Sequence, residues 1–165
     1  MKLVDLPTAD DARAFGRALA TLLRAGDLVV LTGELGAGKT TLTQGLGEGL
    51  GVRGPVTSPT FVIARVHPSL RGGPDLVHVD AYRLGSLEEL EDMDLDASLE
   101  GSVTVVEWGL GMVEQLADSH LAITLLPDRD TEMRRLRLEA VGPRWATPAL
   151  RAALAALTGS AGGEG

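Results

Sequence analysis

The sequence predicts a single α/β domain with a mostly parallel central sheet flanked by helices and an antiparallel edge near the C-terminus. Three observations carry that expectation. The apolar run at 28–32, LVVLT, is branched on both parities, as in a central strand covered on both faces, and it leads directly into a glycine-rich loop and a helix. Two further apolar runs, at 76–79 and 103–106, each end in an acid, Asp80 and Glu107. The segments 121–126 and 134–140 alternate, and the turn-like Pro127-Asp128-Arg129-Asp130 joins them as an antiparallel pair expected at the sheet edge. At 165 residues and 44% apolar, the chain suits one core rather than two.

The elements follow in order. Thr8 is placed to cap a first helix with Asp10 and Asp11 in its opening turn and Ala12, Phe15, Leu19, Leu22 and Leu23 on one face, stopped by Gly26. After the strand and loop, a second helix is expected over about 39–50. Gly and Pro make 51–59 a loop, 61–66 reads as a short strand, and 67–74 as an exposed turn. The acid-rich SLEELEDMDLD from Ser86 fits one or two short helices with Leu87, Leu90 and Met93 inward and a solvated acidic face. Beyond Pro148 a terminal helix completes a domain expected over 1–157, with 158–165, rich in Gly and Ser, as a disordered tail.

Composition removes several function classes. Apolar runs fall far short of the roughly 20 residues that cross a bilayer, and the opening residues lack the apolar core and cleavage site of an export signal, so a cytoplasmic protein is expected. Without cysteine there are no disulfides or thiolate metal sites. His67, His78 and His120 are spaced too irregularly for zinc and are expected in separate surface or supporting roles. A net charge of −8 opposes direct attachment to a phosphate backbone, so any nucleic-acid role is expected to be indirect.

Against only two lysines in the chain, Lys39 stands in a telling context. The residues Gly33, Glu34, Leu35, Gly36, Ala37, Gly38, Lys39 and Thr40 match GxxxxGK[ST], the P-loop pattern, between a buried strand and a helix. Glycine allows the tight turn that aims backbone N–H groups inward, and the helix adds its positive end. Lys39 is expected to reach the β and γ phosphates, Thr40 to ligate Mg2+, and Thr41 to bond a phosphate. Guanine-specific GTPases usually read the base through an Asn/Thr-Lys-x-Asp element; the absence of Asn, and of any lysine beyond Lys2 and Lys39, removes that option and leaves ATP as the default.

An acid at the carboxyl end of a strand near such a loop orients the magnesium shell or the attacking water. Asp80 and Glu107 both qualify, and the alternative is a turn cap or a pair with an arginine such as Arg83. Thr57-Ser58-Pro59-Thr60-Phe61 reads equally as a plain hydroxyl-rich turn or as a switch beside the phosphates, and Trp108 as a core aromatic or a site residue next to Glu107.

Collected, these residues resemble the bacterial TsaE (YjeE) family of P-loop ATPases: GELGAGKTT at 33–41, TSPTF at 57–61, HVDAYRL at 78–84, EELEDMDLD at 88–96 and VEWG at 106–109. The resemblance implies that Thr40 and Glu107 handle Mg2+, that Asp80 supports hydrolysis, that the segment with Thr60 acts as a switch and that Trp108 lies beside the site. It also implies an arginine near the start of the last strand on the nucleotide, best matched by Arg134, with Arg135 and Arg137 competing. Where the family commonly has SPTFTL, this chain continues Phe61-Val62-Ile63 and loses a hydroxyl. The implied activity is ATP hydrolysis in complex with TsaB and TsaD, in support of N6-threonylcarbamoyladenosine modification at position 37 of tRNA, which contacts the partners first. A small-molecule kinase shares only the first motif and calls for an acceptor pocket absent from the sequence pattern; a nucleotide-dependent structural partner that need not hydrolyse ATP is the third reading.

Overall fold

The computed structural model describes residues 2–33, 38–54, 64–80, 100–107, 117–127 and 133–161. Its elements are β1 (Lys2–Leu6), α1 (Ala9–Ala20), β2 (Leu28–Gly33), α2 (Lys39–Leu50), β3 (Ala64–His67), β4 (Asp75–Asp80), β5 (Ser102–Glu107), β6 (His120–Pro127), β7 (Arg134–Val141) and α3 (Pro148–Ala161), with a 3-10 turn at Pro143–Trp145. The strands form one sheet in the order β1-β7-β6-β2-β5-β4-β3. Its centre, β6-β2-β5-β4, is parallel, and β3, β7 and β1 pair antiparallel outside it.

Local sequence explains the joints. Thr8 caps α1 in a full capping box: Asp11 N donates to Thr8 Oγ1 at 3.2 Å, and Thr8 N donates to Asp11 Oδ2 at 3.0 Å. The expected stop at Gly26 falls late, because the helix ends at Ala20 and Gly26 turns the chain into β2 at a φ of 97°. Every position of β5 is buried, and in β2 only Thr32 is partly open, as expected for strands covered on both faces.

One face of the sheet, with Val4, Leu6, Val29, Leu31, Leu76, Val105, Ile123, Leu136 and Leu138, packs with Phe15 and Leu19 of α1, Leu42 and Leu46 of α2, and Leu154 of α3. In β7 alternation sends Leu136 and Leu138 to that face and leaves Arg135 and Arg137 exposed. Helices α1 and α2 approach very closely: a Cβ on Gly45 would stand 2.2 Å from the Arg13 carbonyl oxygen, and one on Gly16 2.5 Å from that of Leu42. Such contact fixes α2, and with it Lys39, against the sheet.

Three expectations need adjustment. The β6–β7 pair is antiparallel as predicted, but β1, a strand not foreseen, lies outside it and forms the edge. The helix after Pro148 continues to Ala161, so 158–161, expected as tail, are helical. The three histidines are all buried, which removes the surface role expected for them and leaves the supporting one. The helices expected around 86–96, and the turn residues 128–132, lie outside the described residues.

Candidate functional site

The loop of the GxxxxGKT motif leaves β2 at Gly33 and enters α2 at Lys39. Gly38, the N-cap, holds a φ of 98°, a left-handed conformation that glycine adopts without strain. It brings no side-chain acceptor, so the first-turn N–H groups and the positive end of the helix remain available to an anion. Lys39 is buried, and its ammonium donates to the carbonyl of Gly33, drawing the side chain back across the start of the loop. Thr43 Oγ1 donates to the Lys39 carbonyl at 2.8 Å, and Thr40 and Thr41 are half-buried in the same first turn.

Arg134 comes to this place from the far side of the sheet order. A Cβ on Gly38 would stand 3.9 Å from Arg134 Nε. Parity explains the position: Arg134 shares the helix-side face with Leu136, whereas Arg135 and Arg137 point away. Arg135 Nε donates instead to Asp5 Oδ1 at 2.9 Å.

The two strand-end acids meet at the same end of the sheet. Asp80 and Glu107 are Cα partners across the parallel β4–β5 ladder, and Glu107 is level with Leu31, two residues before Gly33. Glu107 is buried, with its Oε2 3.4 Å from Nε2 of His78, which has no solvent exposure. His67, at the end of β3 on the same face, is also buried. Burial first, then the neighbouring His78 and Arg65, push its imidazole below the ordinary value of 6.5, against a hydrogen bond with the Arg53 backbone.

The model of the family described as threonylcarbamoyl adenosine biosynthesis protein TsaE matches residues 6–136. The chain belongs to the TsaE family. It is 66% identical over 139 residues to the tRNA threonylcarbamoyladenosine biosynthesis protein TsaE of Streptomyces coelicolor, covering 82% of this chain and 94% of that one. It is 39% identical over 137 residues to the protein of the same name in Bacillus subtilis, covering 82% and 84%. The crystal structure of Bacillus subtilis YdiB superposes with a TM-score of 0.70 at 29% identity, over 96% of this chain and 94% of that one.

Of the residues predicted for a TsaE site, the structure brings together Gly33, Gly38, Lys39, Thr40 and Thr41 with Arg134, and sets Asp80 beside Glu107 at the carboxyl ends of the neighbouring strands. Glu34, Leu35, Gly36, Ala37, Thr60 and Trp108 lie outside the described residues. His78 was expected only in a surface or supporting role, without a named partner. Its signal was the spacing of two from Asp80, which puts both on one face of β4.

Proposed function

We propose that the chain is a Mg2+-dependent ATPase that supports threonylcarbamoyladenosine modification at position 37 of tRNA, working in the cytoplasm in complex with TsaB and TsaD. The observation that carries the reading is the convergence, at one end of the sheet, of a helix start with an inturned buried lysine, an arginine over the loop glycine, and two adjacent strand-end acids. The net charge of −8 favours contact with tRNA through the partners rather than directly.

The donor set suits magnesium. Thr40 and Glu107 offer hard oxygen ligands, and a carboxylate as buried as that of Glu107 is costly to hold without a cation close by. Magnesium, when bound, neutralises charge on the β and γ phosphate oxygens. Thr40 and Glu107 hold it in place. Lys39 exchanges the Gly33 carbonyl for the β and γ phosphates, and the backbone from Gly33 through Thr41 cradles them. Asp80 orients the attacking water and accepts its proton, while Arg134 closes over the phosphates from β7. The family resemblance suggests Thr60 for the switch and a place beside the site for Trp108.

Phosphate release from ATP by the purified chain, with and without TsaB and TsaD, tests the reading, with Lys39→Ala as the blank. Release that rises with the partners and disappears in the blank supports it. A chain that releases no phosphate under either condition is a structural partner, and one that passes phosphate to a metabolite is a kinase.

A further inference from the structure

His78 has no solvent exposure, and neither ring nitrogen has a hydrogen bond among the described residues. Leu76 and Val105, beside it on the same face, are fully buried as well. An imidazole kept in such a place costs stability unless another state of the protein satisfies it. A leucine would fill the volume without that cost.

Its position shows which group can satisfy it. His78 and Asp80 are two apart on β4, Val105 and Glu107 two apart on β5, and the ladder pairs His78 with Val105 and Asp80 with Glu107. His78 therefore lies diagonally behind Glu107, one pair deeper in the sheet. The 3.4 Å between Nε2 and Glu107 Oε2 is a few tenths of an ångström longer than a good N–H···O bond. A small carboxylate rotation closes that gap.

We propose that His78 is a positioning residue for Glu107: its Nε2–H donates to Oε2 when the carboxylate engages the divalent cation of bound nucleotide, which fixes the orientation of the carboxylate toward the metal. The inference rests on the reading of Glu107 as a metal-handling residue. A hydrogen bond behind a ligating group orients it and raises its affinity for the ion, and loss of such a partner typically lowers metal affinity by about 10–100-fold. His78 itself touches neither metal nor nucleotide.

The test is calorimetric titration of a non-hydrolysable ATP analogue, with Mg2+ and with chelator, on the wild-type chain, Glu107→Gln, His78→Leu, His78→Gln and His78→Asn. Wild type is expected to bind more tightly with Mg2+, and Glu107→Gln to lose that gain. His78→Leu should lose about tenfold or more of the gain, with chelator affinity within about twofold of wild type. His78→Gln, whose amide reaches far enough to donate, should recover most of the gain, and the shorter His78→Asn should not. Full retention of the gain in His78→Leu, or an equal loss with and without Mg2+, overturns the inference while leaving Glu107 in its role. A Glu107→Gln protein that keeps the gain removes both. If His78→Leu does not fold, the contrast between His78→Gln and His78→Asn decides, and equal gains in the two overturn the inference.

Discussion

Arg134 lies over Gly38, its Nε 3.9 Å from where a Cβ on that glycine would stand, although 96 positions separate the two in sequence. The positive φ of the glycine opens α2, and the guanidinium approaches the helix start to ordinary van der Waals distance. An arginine held there can donate to phosphate oxygens with the planar fork suited to them.

Arg134→Ala should therefore weaken ATP binding by about tenfold to a hundredfold, the worth of a charge-assisted hydrogen bond. Arg135→Ala, which loses only an exposed ion pair with Asp5, should bind within about twofold of wild type. Titration of the two variants side by side checks this, and equal losses would contradict the parity argument.

The close seam of α1 and α2 predicts opposite signs for two Gly→Ala changes. At Gly45 the new methyl would meet the Arg13 backbone at 2.2 Å, so overpacking of about 1–3 kcal/mol outweighs the roughly 1 kcal/mol of added helix propensity. At Gly159 nothing lies within 4 Å, and propensity alone acts. Thermal denaturation should show a lower Tm for Gly45→Ala and an equal or higher one for Gly159→Ala.

His67 makes stability depend on pH in a defined direction. Its pKa is lowered in the folded chain, chiefly by burial, so below 6.5 the unfolded chain takes up this proton first. Above 6.5 the contribution to stability is complete. It declines as pH falls from 6.5 toward the lowered folded value, and His67→Gln should flatten that part of the curve. Urea midpoints measured between roughly pH 5 and 7.5 check the slope; an unchanged slope in the variant would contradict the assignment.

Much of the site was legible because its determinants are local. The span Gly33 to Thr40 carries its own turn, helix start and charge, and the acids at Asp80 and Glu107 mark strand ends within their own runs. What escaped is non-local. β1 is five residues long and owes its existence to β7, with Lys2 opposite Leu138, a pairing that no window on the sequence contains. The choice among Arg134, Arg135 and Arg137 needed strand parity, which one misplaced turn residue would invert. Trp145, the buried last residue of the 3-10 turn, carries Arg144 on its ring, and the Arg144 guanidinium donates to Asp27 at 2.9 Å, a pairing distant in sequence. The glycines at 45, 47 and 49 argue against a helix by propensity, but the α1–α2 approach requires Gly45 and Gly49.

Single-turnover hydrolysis of ATP by excess protein, for wild type and Asp80→Asn at equal nucleotide occupancy, asks whether this chain hydrolyses ATP through Asp80. Phosphate release is expected from wild type and a reduction of about a hundredfold or more in Asp80→Asn, with ATP affinity retained. Undiminished release in Asp80→Asn, or none from wild type even with TsaB and TsaD present, would contradict it.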